Sequence, residues 1–142
     1  MKTLSFFAAG IPKGQPRAKA CIRGKHAGVY DPGTADDWKA VVRHKIAESW
    51  DKQPFTGPVS VTLRFWFQRP KAHFDSKGHI KPSAPNCKTS KPDLDNLAKA
   101  VMDAATNAGV LRDDAQVVNL TITKRYDDAA PGCDVTIEEV EL

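Results

Sequence analysis

Val59-Ser60-Val61-Thr62-Leu63-Arg64-Phe65-Trp66-Phe67-Gln68 sets apolar residues at every second position, with Ser60, Thr62, Arg64, Trp66 and Gln68 between them. A period of two is that of a strand with one buried face. Gly57-Pro58 breaks the chain just before it. Working outward, Leu4 to Ala9 reads as a first strand, and Val118, Leu120 and Ile122 alternate with Asn119, Thr121 and Thr123. After a turn over residues 127–132, Val135 and Ile137 begin a last strand. The final two runs are expected to pair with each other as an antiparallel hairpin.

Two helices complete the pattern. Thr34-Ala35-Asp36-Asp37 has capping-box spacing, and Trp38, Val41, Val42, Ile46 and Trp50 then recur at helical intervals, which predicts a helix over about residues 35–50. In the second, Leu94, Leu97, Ala98, Val101, Met102, Ala105 and Ala108 share one face, and Gly109 stands where a helix ends. No repeat or low-complexity tract appears, and strands outnumber helices without a strict βαβ alternation. The fold class is therefore α+β. A single domain spans residues 1–142, with a mixed or antiparallel sheet packed against two main helices.

Composition bounds the function. A chain of 142 residues with 41% hydrophobic positions holds one ordinary core. Its net charge of +4 leans toward a polyanionic partner. Cys21, Cys87 and Cys133 are odd in number, far apart and form no C-x-x-C pair, so neither a disulfide framework nor a zinc site is indicated, and a reducing cytoplasm suits them. The apolar run near the N-terminus is broken by Pro12 and Gly14 well short of a membrane span, so no signal peptide and no membrane contact are expected.

Two stretches concentrate positive charge. Residues 11–31 carry Lys13, Arg17, Lys19, Arg23, Lys25 and His26 among Gly and Pro, and read as a basic loop or irregular hairpin with Val29 and Tyr30 in a short strand. Residues 69–92 carry Lys71, Lys77, Lys81, Lys88 and Lys91 with Pro70, Pro82 and Pro85, and read as a mobile basic loop leading into an acidic segment.

That segment opens the second helix. Asp95, Lys99 and Asp103 follow at i, i+4 and i+8 on its polar face, and Asp93 sits at its start. Asp93 also suits a helix cap, and the other three an exposed charge ladder. A ladder does not account for Asp113-Asp114, which a short turn separates from the helix end. Three or four converging aspartates repel one another unless a cation neutralises them, and oxygen-only ligands favour Mg²⁺ or Mn²⁺. Phosphodiester cleavage is chemistry that such sites perform. A calcium EF-hand does not fit, since Leu97 and Ala98 stand where a third ligand and glycine are needed.

Taken together, Lys91-Pro92-Asp93-Leu94-Asp95-Asn96-Leu97, Lys99-Ala100, Asp103-Ala104 and Asp113-Asp114-Ala115-Gln116-Val117-Val118 closely resemble the RusA family of Holliday-junction resolvases. Ile11-Pro12, Pro16-Arg17 and the 71–92 loop are similar to the form of that family common in phages and prophages. The resemblance implies a homodimer that binds a four-way DNA junction and makes paired symmetric nicks with Mg²⁺, for which Mn²⁺ would be a substitute. By motif match, Asp93, Asp95 and Asp114 would be metal-binding and catalytic, Lys99 the catalytic lysine, and Asp113 a further candidate ligand. Lys13, Arg17, Lys19, Arg23, Lys25, Lys71, Lys77, Lys81, Lys88 and Lys91 would then contact DNA phosphates.

The remaining aromatic and histidine residues are less telling. His26, His44, His73 and His79 show no ligand spacing. Phe74 would stack on the junction or anchor its loop, Trp38 and Trp50 belong to the core stripe, and Trp66, on the polar side of its strand, suits a dimer contact or a DNA surface. Two other functions fit part of the pattern: a non-catalytic DNA-binding module, and a metal-dependent phosphoesterase acting on small esters.

Overall fold

The computed structural model describes residues 1–24, 26–127 and 130–141; Lys25 and the side chains of Cys21, Arg23 and His26 lie outside that description. The central strand forms where the alternation puts it, as β4 (Val59–Gln68), following β1 (Thr3–Ala9), β2 (Lys19–Arg23), β3 (His26–Tyr30) and helix α1 (Asp36–Ser49). Helix α2 (Leu94–Asn107), β5 (Val117–Asp127) and β6 (Gly132–Glu139) come after it. Val59, Val61, Leu63, Phe65 and Phe67 of β4 are all buried against the helices. Each such side chain contributes about 1.5–3 kcal/mol of apolar burial, so β4 takes the centre of the sheet.

Strand order is β1-β6-β4-β5, with β1 and β4 antiparallel to β6, and β5 parallel to β4. The sheet is thus mixed. This corrects the expected hairpin: β5 and β6 run in opposite directions but do not pair, because β4 lies between them. Val61 faces Ile137 on one side and Leu120 on the other. Being the edge strand, β5 leaves Val118 and Leu120 exposed.

Helix α1 packs on β1 and α2. Its N-cap is Ala35, with no side-chain hydrogen bond, so the Thr34 spacing is not used as a capping box. The backbone enters instead through Gly33, whose φ of 73° favours glycine, with the Asp36 N–H donating to its carbonyl. Trp38, Val42 and Ile46 are buried, Trp50 packs on the core from its edge, and Val41 stays at the surface. In α2 the buried stripe is Leu97, Ala98, Ala100, Val101, Ala104 and Ala105, rotated slightly from the expected face so that Leu94 is exposed and Met102 only partly covered. Gly109, at φ 86°, ends it.

The basic stretch before α1 contains the antiparallel ladder β2–β3, a sheet of its own. The 69–92 stretch is tied down at many points. Arg69 donates to the Pro85 carbonyl and to Asn86 Oδ1, Asp75 accepts from the Lys77 and His79 amides, and the Tyr126 amide of β5 donates to the Asn86 carbonyl. No helix among the described residues is long and apolar enough to cross a membrane.

Candidate active site

The polar face of α2 is fixed by its buried one. With Leu97, Ala98 and Val101 in the core, Asp95, Lys99 and Asp103 must look outward together. Asp93 is the N-cap residue, yet its carboxylate caps nothing. Among the described residues Asp93 and Asp95 are exposed and carry no side-chain hydrogen bond or ion pair. The segment before them is held by Lys124 of β5, whose ammonium donates to the carbonyls of Ser90 at 2.8 Å and Pro92 at 2.7 Å.

The second acidic pair is brought to the helix by a pinned turn. Gln116 accepts from the Arg112 and Asp113 amides and donates to the carbonyls of Phe55 and Gly57, both at 2.9 Å. Asp113 accepts from the Ala115 amide at 2.8 Å, completing a capping box on the 3-10 turn Asp114–Gln116. Its carboxylate is therefore engaged in holding the turn. Asp114 projects toward α2, where the Lys99 ammonium donates to Asp103 Oδ1 at 2.9 Å and Asp114 Oδ2 at 3.2 Å.

These contacts set the local electrostatics. Hydrogen bonds to Asp103 and then Asp114 raise the Lys99 pKa above 10.5. The Lys99 hydrogen bond, followed by one with Asp113, lowers that of Asp114 below 3.8. Both groups stay charged at neutral pH. No group of three His, Cys, Asp or Glu side chains close enough to share a metal ion is present among the described residues. The donor chemistry nevertheless suits a hard divalent cation: Asp93 and Asp95 present unpaired carboxylate oxygens, and Asp114 is paired with a half-exposed ammonium.

A cleft of about 360 Å³ adjoins Asp114 and Lys99, walled by Lys99, Asp103, Arg112, Asp113 and Asp114 together with Gln15, Asp31 and Lys39; Asp93 and Asp95 are not among its lining residues. Gln15 and Lys39 went unremarked in the sequence. Lys39 carried a signal, since it stands three and seven positions before Val42 and Ile46 on the apolar stripe of α1, where a lysine is out of place. Gln15 carried none.

Lys13, Arg17, Lys19, Lys71, Lys77, Lys81 and Lys91 are exposed and unpaired among the described residues. Lys88 differs: its ammonium lies 5.2 Å from the Phe67 ring and 5.7 Å from that of Tyr126, and donates to Ser90 Oγ. Phe74 is half-buried and bridges to Ile80 within its loop. Trp66 is half-buried too, donating to Asp134 Oδ2 at 2.8 Å.

Residues 9–138 match a family of DNA-cutting enzymes, described as endodeoxyribonuclease RusA. The chain belongs to that family. It is also similar to the uncharacterized protein YqaN of Bacillus subtilis (strain 168), with 31% identity over 148 aligned positions covering 99% of both chains.

Proposed function

We propose that this protein resolves four-way DNA junctions by paired symmetric nicks, acting in the cytoplasm as a homodimer and using Mg²⁺, with Mn²⁺ able to substitute. The observation that carries this reading is the meeting of Lys99 with Asp114, from a separate turn, beside two exposed carboxylates that have no structural employment, in a chain of the RusA family.

Asp93, Asp95 and Asp114 would hold the cation, with Asp113 left to the turn it caps. When bound, the ion polarises a phosphoryl oxygen and lowers the pKa of an attacking water. Lys99, released from Asp114, presents its ammonium to the charge that builds on the phosphorus-bound oxygens. The exposed Lys13, Arg17, Lys19, Lys71, Lys77, Lys81 and Lys91 neutralise phosphates along the arms of the junction. Two such sites related by a two-fold axis would reach the two opposed strands.

The test is cleavage of a synthetic four-way junction by purified protein with and without Mg²⁺, with the cut positions mapped on all four strands. Two nicks placed symmetrically are expected. Binding without metal-dependent cutting would establish a non-catalytic module, and cutting of small phosphate esters in preference to junctions would establish a phosphoesterase.

A further inference from the structure

The chemistry just described leaves one buried charge unused. Lys39 of α1 is 8% exposed and is the one polar or charged side chain among the buried residues described. Its ammonium donates to Gln15 Oε1 at 2.8 Å; the Asp31 carboxylate, which holds Gln15 from its other end, interacts with it electrostatically but makes no direct ion pair with it. A lysine has three N–H donors. One is spent here on a neutral amide, and two remain. With the nearest carboxylate one side chain away rather than in direct contact, burial of this ammonium carries a desolvation cost that an apolar residue at the same position would not.

The surroundings of Lys39 are built. Gln15 is held on both sides: its side-chain amide donates to Asp31 Oδ2 at 2.7 Å, and its backbone N–H donates to the Asn96 carbonyl at 2.8 Å. Asn96 directly follows Asp95. Gly14 lies flat against the same turn of α2, where a Cβ would stand 3.0 Å from Asn96 Cβ and 3.3 Å from Pro92 Cβ. Gln15 therefore ties Lys39 to the helix end that bears Asp93 and Asp95, and both Gln15 and Lys39 wall the same cleft as Lys99 and Asp114.

We infer that Lys39, presented by Gln15, is a phosphate-binding residue of this cleft, taking a backbone phosphate of the strand that is cut. The inference rests on the junction-cutting reading above. The cleft then carries Asp114, with Lys99, from α2 and the following turn, and from α1 an ammonium for the DNA backbone that Gln15 links to Asp31. An ordered, buried cation loses little freedom on contact, unlike the loop lysines, and so fixes the strand more than it adds to affinity.

The experiment is junction binding as a function of salt in an Asp95→Asn background, which keeps the DNA uncut, with and without Lys39→Met. Methionine keeps the apolar stem and drops the charge. Loss of one phosphate contact lowers the slope of log K against log[salt] by about 0.9. Lys39→Arg in the same background should restore it. An unchanged slope in a folded Lys39→Met protein, whatever its affinity, overturns the inference and leaves Lys39 as a prop for Gln15.

Should Lys39→Met fail to fold, cross-linking of the Asp95→Asn protein to a junction carrying amine-reactive groups on the phosphates near the cut decides the matter. An adduct on Lys39 supports the contact, and adducts on Lys99 and the loop lysines without Lys39 overturn it. If the Asp95→Asn protein itself shows no salt-dependent junction binding, the junction-cutting reading falls and this inference falls with it.

Discussion

Helix α2 and the β2–β3 hairpin both present polar residues to solvent, but they are held in place by different means. The helix has a packed underside in which Leu97 and Ala104 are wholly buried, and its outer face inherits that order. The hairpin has register without a core: Ala20 faces Val29 and Ile22 faces Ala27, yet Ile22 is 80% and Val29 73% exposed. On the proposed reading, chemistry that needs ångström placement would sit on the element locked by packing, and the cations of the hairpin, which only track a phosphate backbone, would need no such lock.

The sharpest way to break this contrast is Asp95→Asn. If the outer face of α2 exists for catalysis, junction cleavage should fall by roughly 10²- to 10³-fold or more, the scale of losing one electrostatic group in a site. Thermal stability should hold, because Asp95 carries no side-chain hydrogen bond or ion pair among the described residues. Strand-cleavage rates and a melting curve on the same preparation check both halves. Loss of folding, or wild-type cutting in Mg²⁺, would turn the aspartates into structural residues and erase the distinction.

Next in size comes a pair of truncations. Leu97→Ala should cost about 2–5 kcal/mol, since it empties a filled place in the core. Ile22→Ala should stay within about 0.5 kcal/mol, as for other exposed positions. Urea unfolding of the two variants measures the difference directly. Equal costs would mean that the hairpin is covered by something in solution, a second copy being the candidate.

The same contrast governs what could be read from the sequence. Strand β4 and the helices were legible because burial writes a period into them, and the acidic face of α2 came with the helix. The place of β5 was not legible: its alternation is real, but Val118 and Leu120 face solvent, and whether an edge strand joins β4 or β6 depends on the whole sheet. Asp113 and Asp114 look alike as residues, and only the family resemblance ranked Asp114 first. The pinning of the turn by Gln116 gives the physical difference, one capping and one facing Lys99. The Lys39–Gln15 contact joins residues 24 apart through a loop without periodicity, so the pattern could not announce it.

A smaller effect is expected at the basic surface. Arg17→Glu or Lys19→Glu should weaken junction binding by about tenfold at moderate salt, the equivalent of about 1.4 kcal/mol, and should reduce its salt dependence. Cleavage at saturating protein should be nearly unchanged. Fluorescence anisotropy across a salt series reads the first two quantities, and single-turnover cutting the third. A lost single-turnover rate with intact binding would mean that the basic stretch positions the scissile strand as well as holding it.

The smallest effect belongs to the Lys99–Asp114 pair, and pH reveals it. Asp114 has its carboxyl held below 3.8, chiefly by the Lys99 hydrogen bond, so its contribution to stability is present above pH 3.8 and drains away as pH falls through the lowered value. Lys99 has its ammonium held above 10.5, chiefly by Asp103, so its share is intact below pH 10.5 and is lost as pH rises through the raised value. Between those limits the pair contributes a constant amount. The side chains are 50% and 41% exposed, and water and salt screen such a pair to about 0–1 kcal/mol. Lys99→Met should therefore be slightly less stable than the wild type across neutral pH, with the gap closing below pH 3.8 and above pH 10.5 and narrowing in high salt. Junction cleavage by the same variant should be crippled at every pH. A variant as stable as the wild type, or more so, would show that the paired ammonium contributes nothing to the fold and is kept for the reaction alone. A large stability loss would instead place Lys99 among the residues that hold α2 to the Asp114 turn.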